Sequence, residues 1–335
     1  MFKCLRRVAF TMAEILLSLT IIGVVAAITL PSLTGNINER TWNTQRKALY
    51  SRLSQAVALL PQIRGYGSFE KDAGDPSYTW DDKFVSENAT ETFLSAGLAK
   101  VLKINNICDK EHLGDCGLPD KVINVDGSRK VNINELKMLS DFNPLAVTGC
   151  GVQNSIDTGA AAFETANGES ILLHYNPICS IKNERDSVTS IVSAMCANFI
   201  YDLNGTKGPN TIGKDVGFMT LFYSTDSILV APVVIKDDGN NNSDKNYTFD
   251  EARQLCRARD ARVPNIEELM AIYMNNAFLD TQFTGGGSNF WSSTERYEQR
   301  LNRKVRGTLY HSGGEVYWGV NTSDKNAVRC IKQFQ

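Results

Sequence analysis

The residue in the most unusual chemical setting is Glu14, a carboxylate near the start of an apolar run. The run, Phe10–Leu30, is long enough to cross a lipid bilayer. A carboxylate inside hydrocarbon costs roughly 2.5–3.5 kcal/mol on insertion scales, so a chain that keeps one is expected to supply a partner. A newly made α-amino group would be a natural partner. A plain signal peptide or a plain membrane anchor would not need this carboxylate.

The segment before the run indicates where such an amine would come from. Lys3, Arg6 and Arg7 would hold the N-terminus on the cytoplasmic side of a membrane. A secretory signal is cleaved after its apolar segment, whereas here the small residue Ala9 and the basic residues precede it. We therefore expect a 1–9 leader peptide, cleaved between Ala9 and Phe10, and an apolar helix that stays on the mature protein.

The sequence FTMAE at this position resembles the processing motif of the prepilin family. Phe10 is the first residue after the cut and Glu14 the fifth, and Gly23 and Pro31 occupy positions where type IV pilins and type II secretion pseudopilins usually have Gly and Pro. Ala9 stands where the family usually has Gly. The resemblance implies that a prepilin peptidase cuts before Phe10 and methylates the new amine.

The same resemblance implies that Glu14 pairs with the Phe10 amine of a neighbouring subunit in a filament. Either charge alone in a dry helix bundle is severely penalised, so the pair would fix the register between subunits. Gly23 is a poor helix former and Pro31 lacks a backbone donor, so we expect a kink or local melting between them.

An amphipathic rod is expected to continue the helix, so that residues 10–60 form the transmembrane and assembly helix. Pro61 and Gly65 would end it, and basic residues such as Arg46 and Arg52 lie on its other faces. Apolar residues recur at helical spacing and would pack on a globular domain: Trp42, Leu49, Leu53, Val57 and Leu60.

Composition points to an exported, non-catalytic protein. The 335 residues carry a formal net charge of −2 and show no basic footprint for nucleic acid. Three widely separated histidines, without a nucleotide or metalloprotease motif, argue against an enzyme. Beyond the leader, seven cysteines lack zinc-site spacing and suit disulfides in an oxidising compartment; they lie at positions 108, 116, 150, 179, 196, 256 and 330.

Residues 61–235 have the pattern of an irregular pilin head, with short β-branched and aromatic stretches separated by Gly, Asn and Asp. This pattern predicts an antiparallel sheet packed on the N-terminal helix. Cys108 with Cys116 could close one small loop and Cys179 with Cys196 another, although spacing alone leaves the pairing of these cysteines and Cys150 open.

A loop rich in oxygen-bearing side chains lies between Asp202 and Asp215. Asp202, Asn204, Asn210 and Asp215, with glycines between them, could ligate a hard cation such as calcium. The alternative is a hairpin turn held by Asx side-chain hydrogen bonds, because Asp, Asn and Gly also favour turns for their own reasons. The spacing is not that of an EF-hand. Calcium is the one cofactor that the sequence suggests, and the structural turn is the favoured interpretation.

After a polar linker, 236–246, the pattern changes again over residues 247–335. Two amphipathic helices, one at Phe249–Cys256 and one starting after Pro264, precede strand-like segments and a WSST turn at 291–294. This order resembles bacterial C-type-lectin-like domains, which implies a disulfide between Cys256 and Cys330. Such a staple would contribute about 4 kcal/mol in the chain-entropy model.

A ligand surface in this last region is expected at Tyr310, Tyr317 and Trp318, since exposed aromatic side chains anchor interfaces well. Trp291 with its serines is read as a buried core turn rather than a catalytic serine. The basic stretch 296–306 could bind an acidic polysaccharide, although a solvated hairpin face is the favoured interpretation.

The sequence therefore predicts an α+β protein, in which a long pilin helix packs on an antiparallel sheet followed by a C-type-lectin-like domain. The expected function is that of a minor or tip subunit of a type IV pilus-like filament with a C-terminal adhesion domain. The alternative is a type II secretion pseudopilin whose appended domain contacts cargo or the secretin; in a third reading that domain is only a cap. Expected partners are other pilin subunits, the prepilin peptidase and a surface glycan or protein, first at the inner membrane and then in a periplasmic or extracellular filament.

Overall fold

The computed structural model combines helices with antiparallel sheets, which confirms an α+β fold. The chain divides between Arg46 and Lys47 into two units, and each is described by itself. The structure describes residues 12–60, 89–125, 127, 130–132, 159–175, 188–190, 195–222, 228–235, 246–275, 279, 289–298, 302–310 and 315–332.

The longest element is α1 (Met12–Leu59), a helix of 48 residues. It runs through Gly23 and Pro31 as continuous α-helix, so the prediction of local melting there is wrong, while a kink, the other outcome expected, stays a prediction. Proline removes its own amide donor and crowds the preceding turn, but the hydrogen bonds on both sides can still form. The helix ends just before Pro61, as the sequence predicts.

The C-terminal part of α1 carries the predicted apolar stripe. Leu49, Leu53 and Leu60 are fully buried and Val57 nearly so, because residues spaced by three and four positions share one face of a helix. Arg46, one of the basic residues on the other faces, is buried, and its guanidinium donates to Asn43 Oδ1 at 2.7 Å.

A central six-stranded antiparallel sheet has the order β1-β4-β5-β7-β8-β9. The apolar stretches identified in the sequence form five of these strands. A helical segment precedes the sheet, with α2 at Ala89–Thr92, a π-helical turn at Phe93–Leu98 and α3 at Ala99–Val101. The strands are β1 (Ile104–Cys108), β4 (Ala161–Thr165), β5 (Ser170–Tyr175), β7 (Met195–Asp202), β8 (Val216–Phe222) and β9 (Ile228–Val230).

Helices α4 (Phe249–Arg257) and α5 (Ile266–Met274) form where the sequence predicts them. Each begins with a capping box, in which the side chain at the N-cap and a glutamate three residues later satisfy each other's backbone amides. Thr248 and Glu251 cap α4, and Asn265 and Glu268 cap α5. These local bonds explain why both helices can be located from sequence.

Three smaller sheets also lie within the described residues, in the orders β12-β13-β14-β6, β10-β15-β11 and β2-β3. The segment predicted as a WSST turn instead lies inside β12, with a register irregularity between Trp291 and Glu295. The strands are β2 (Lys121–Ile123), β3 (Lys130–Asn132), β6 (Val188–Ser190), β10 (Val233–Val234), β11 (Ala261–Arg262), β12 (Asn289–Glu298), β13 (Arg303–Tyr310), β14 (Glu315–Val320) and β15 (Ile331–Lys332).

Residues on both sides of the predicted linker belong to the same sheets and the same hydrophobic core within the unit that begins at Lys47. β6 pairs with β14, and β10 pairs with β15. One hydrophobic cluster contains Phe218 of β8 together with Leu269 of α5 and Leu309 of β13. The linker itself falls almost entirely outside the described residues.

A buried polar network joins β7, β8 and α5 inside this unit. The Asn198 amide donates to Asn275 Oδ1 at 2.8 Å, and the Thr220 hydroxyl donates to Asn198 Oδ1 at 2.8 Å. All three side chains are almost fully buried. Because unsatisfied polar groups are costly in a core, this network favours one arrangement of α5 on the sheet.

Two disulfides lie within the described residues, Cys108–Cys116 and Cys256–Cys330. The first is one of the pairings that the sequence left open, and the second is the pair that the resemblance implied. Cys196 is also disulfide-bonded, and Cys150 and Cys179 lie outside the described residues. The Cys256–Cys330 bond belongs to a small hydrophobic cluster with Phe249 and Trp291, which places the tryptophan in the core as predicted.

Candidate functional site

The predicted processing and assembly residues lie at the start of the chain. Ala9 and Phe10 lie outside the described residues, so their processing stays a prediction. Glu14, Gly23 and Pro31 all belong to α1, which places the predicted charged residue two positions after the first described residue of the helix.

The N-terminal part of α1 exposes apolar side chains in every direction around the helix. Leu16, Leu17 and Ile22 are 62–63% exposed, and successive residues are turned by about 100° from one another. The Thr20 hydroxyl donates to the Leu16 carbonyl at 2.7 Å, so that polar side chain is satisfied within the helix. The other large exposed side chains of this segment are Met12, Leu19, Ile21, Val24 and Val25.

Such a surface differs from that of an ordinary amphipathic helix, which is apolar along one stripe only. Large contiguous exposed apolar patches mark sites of protein or lipid contact. In the described part of the chain, however, no helix meets the length and apolarity criteria for a membrane span.

The candidate cation loop connects β7 to β8, and its two aspartates are buried at the loop ends. Asp202 Oδ1 accepts the Asn204 amide at 3.0 Å. Asp215 accepts the Asn210 and Thr211 amides at 2.9 and 2.8 Å. Each carboxylate therefore holds backbone N–H groups of the loop, and the Asp202 bond, to the amide two residues on, is the Asx-turn that the sequence favoured.

Burial, together with the nearby charge of Asp215, raises the pKa of Asp202 to about 7. The amides of Asn204 and Gly205 oppose this shift because they stabilise the carboxylate. Asp202 therefore titrates near neutral pH, whereas an exposed aspartate would be ionised.

The side chains of this loop supply oxygen atoms that could act as cation ligands. The Asn204 side-chain nitrogen donates to the Gly208 carbonyl at 3.3 Å, while its Oδ1 is buried without a hydrogen bond. No group of three His, Cys, Asp or Glu side chains suited to a metal occurs among the described residues. Calcium at Asp202, Asn204, Asn210 and Asp215 stays a prediction.

The three aromatic residues of the predicted ligand surface divide into two environments. The Tyr310 and Tyr317 rings meet edge to face at 5.9 Å between centroids. Trp318 follows Tyr317 directly in β14, so its side chain points to the opposite face of the sheet. There it packs against the main hydrophobic cluster and stays partly exposed.

The basic stretch forms the outer end of the hairpin β12–β13, as a solvated hairpin face would. Arg296, Arg303 and Lys304 are exposed, and Tyr297 is 57% exposed. The Arg296 guanidinium lies 4.3 Å from the centroid of the Trp318 ring. Arg300 lies outside the described residues.

Arg306, in contrast, is buried and has a structural role. Its guanidinium lies 3.5 Å from the centre of the Phe249 ring, donates to the Ser293 carbonyl at 2.8 Å and pairs with Glu295. Burial lowers the pKa of Arg306, and Glu295 opposes that shift. This side chain fixes α4 to the hairpin.

Sequence reasoning missed the contact between Arg296 and Trp318, which are 22 positions apart. The signal was present in the hairpin itself: once β12, β13 and β14 are adjacent, a long side chain on β12 can reach across β13. Gly307 on β13 makes room, because an added Cβ would lie only 3.0 Å from the Trp318 ring.

Comparison with known proteins identifies no relative for this arrangement. No protein-family model matches the chain, and no curated protein or solved structure matches it.

Proposed function

We propose that this protein is a minor or tip subunit of a type IV pilus-like filament, anchored in the filament by α1. The observation that carries the proposal is the helix surface between Met12 and Val25, which is apolar on all sides and exposed. Helices of this kind are stable when lipid or other helices surround them. A filament core built from such helices provides that environment.

The FTMAE motif supports the same proposal through chemistry. Cleavage before Phe10 would create a positive charge next to the first turn of α1, and Glu14 supplies the matching negative charge. In a dry helix bundle either charge without its partner would be strongly destabilising, so both partners must be present. The inner membrane would hold the helix before assembly, and the prepilin peptidase would prepare its N-terminus.

The size of the second unit supports a minor or tip position. Residues beyond the predicted head add α4, α5 and the hairpin β12–β13. A major subunit must repeat along a filament without obstruction, whereas a tip subunit can carry additional structure. The additional region would bind a surface ligand.

Filament incorporation tests this proposal. We expect the wild-type chain to co-purify with sheared filaments, and Glu14→Ala to reduce that amount at least tenfold while the protein still accumulates in cells. Glu39→Ala, which removes a carboxylate from a later turn of α1, is the matched control. Equal incorporation of wild type and Glu14→Ala, or no incorporation of wild type, would contradict the proposal.

A further inference from the structure

The outer end of the hairpin β12–β13 carries a cationic and aromatic surface that the assembly role of α1 does not use. We define it as the hairpin face: Arg296, Glu298, Arg303 and Trp318. Glu298 lies directly opposite Arg303 in the strand register, and Arg296 lies opposite Val305. Directly opposed residues share a side of the sheet, and Arg303 lies two positions before Val305 on β13. Arg296 and Arg303 are therefore diagonal neighbours on one side of the sheet, with their backbones about 7–8 Å apart by strand geometry.

Arg296 is held in a defined position on this face. Its guanidinium stacks on the Trp318 ring at 4.3 Å and contacts a Glu298 oxygen at 3.3 Å, while the side chain is still 41% exposed. Gly307 lets the tryptophan ring lie close to β13. A planar guanidinium that is already oriented loses less entropy when it binds a carboxylate through two parallel hydrogen bonds.

Arg303 on the hairpin face and Lys304 on the other side of β13 add two further cations to the hairpin. Both are exposed, and no ion pair joins either of them to another described residue. Residues 289–320 contain five Lys or Arg and three Asp or Glu, a net charge of +2 in a chain whose total is −2. The hairpin is therefore a positive region of an otherwise acidic protein and would attract anions.

Aromatic side chains next to these cations narrow the class of anion. The aromatic side chain on the hairpin face is Trp318, whose ring is partly exposed next to Arg296, whereas the exposed Tyr297 lies on the other side of the same hairpin. Aromatic rings offer a flat apolar surface beside the charged groups. A chain of sugar rings with regularly spaced carboxylates would use both features.

We propose that the hairpin face binds a carboxylated polysaccharide, a linear polymer of uronic acids, with Arg296 and Arg303 pairing with its carboxylates and the exposed part of the Trp318 ring beside a sugar ring. Glu298 lies between the two arginines and competes with the ligand for Arg296. This inference names the ligand class for the surface-binding role in the proposed function.

Binding of the full chain in mild detergent to immobilised polygalacturonate tests the inference, with neutral dextran and double-stranded DNA as comparison ligands. We expect saturable polygalacturonate binding that weakens about tenfold in Arg296→Ala and in Arg303→Ala. Glu298→Gln should strengthen it about threefold. Arg257→Ala, which removes an exposed arginine at the end of α4, should leave it unchanged.

Arg296→Lys separates specific recognition from simple charge attraction, because it keeps the positive charge and loses the planar fork. We expect it to weaken polygalacturonate binding nearly as much as Arg296→Ala. Equal binding of Arg296→Lys and wild type would overturn the inference. So would absence of binding, binding that the hairpin variants do not change, or DNA binding at least as strong with the same dependence on Arg296.

The outcome is independent of filament assembly. Failure of the filament proposal would show in the incorporation of Glu14→Ala and would not alter polygalacturonate binding by the hairpin. Failure of the present inference would leave incorporation unchanged.

Discussion

The two ends of α1 place apolar residues in opposite environments. From Met12 to Val25 the large apolar side chains point in all directions and are exposed, whereas Leu49, Leu53, Val57 and Leu60 form one buried stripe. A helix with one apolar stripe packs that stripe against a core, whereas a helix that is apolar all round needs apolar partners on every side. The pattern of apolar residues, rather than their number, separates the part of the helix that packs on its own fold from the part that needs other molecules.

The largest effect expected from this comparison comes from a charge placed at matched positions. Leu53→Asp would bury an unpaired carboxylate in the stripe and should destabilise the protein by more than about 4 kcal/mol. Leu19→Asp, at a position 60% exposed, should leave the free energy of unfolding within about 0.5 kcal/mol. Chemical denaturation in detergent, followed by tryptophan fluorescence, measures both. Similar losses in the two variants would break the comparison.

Removal of the Cys256–Cys330 disulfide should destabilise only the unit that begins at Lys47. The bond spans 74 positions, and the chain-entropy model gives a contribution of about 4 kcal/mol for such a loop, against about 2.5 kcal/mol for a loop of the size that Cys108–Cys116 closes. We expect Cys256→Ser with Cys330→Ser to lower the unfolding free energy more than Cys108→Ser with Cys116→Ser. The reverse order in denaturant would contradict this account of the core.

An ion pair attaches the stripe end of α1 to the turn between β4 and β5. Arg52 pairs with Glu169, whose side chain is 5% exposed, so Arg52→Ala would leave a buried carboxylate without its cation. We expect a loss of about 2 kcal/mol, because breaking a buried pair costs more than breaking a surface pair. Arg40→Ala, on an exposed part of the same helix, is the control. Equal thermal unfolding midpoints for the two variants would show that Arg52 contributes nothing specific.

The smallest expected effect depends on pH and concerns Asp202. The pKa of Asp202 is about 7 in the folded protein, against 3.8 for an ordinary, unburied aspartate. Between these two pH values the folded state therefore binds more protons than the unfolded chain. The contribution of Asp202 to stability is therefore most favourable below about pH 4 and declines as the pH rises to about 7. Asp202→Asn should raise the unfolding free energy by about 1–2 kcal/mol at pH 8 and change it little at pH 4.

Bound calcium would reverse the expected effect of Asp202→Asn on the unfolding free energy at pH 8. With calcium bound by Asp202, added calcium should stabilise wild type at pH 8, and Asp202→Asn should lose that stabilisation. If calcium has no effect on wild type, the loop is the Asx-bonded turn that its hydrogen bonds indicate.

Local signals account for most of what could be predicted. The capping boxes at Thr248 and Asn265, the apolar stripe of α1 and the strand at Ser170–Tyr175 each depend on residues close in sequence. The Cys256–Cys330 pair came from a resemblance rather than from spacing, which leaves pairing open. These features could be named before any contact was known.

Features that depend on distant contacts could not be predicted in the same way. The Asn198–Thr220–Asn275 network joins three elements, and nothing in the local sequence of any one of them indicates the others. The burial of Arg46 is a second example, because helical spacing alone does not reveal whether a side chain is buried. Tyr317 and Trp318 of the predicted aromatic surface lie on opposite faces of the sheet, because they are successive residues of the strand β14.

Mass spectrometry of the N-terminus tests the central claim most directly. The protein would be purified from membranes of cells with an active prepilin peptidase and compared with the same protein from cells without it. The account predicts a mature chain that begins with N-methylated Phe10 only when the peptidase is present. An intact Met1 in both samples, or a chain cleaved after the apolar run near Leu30, would contradict it.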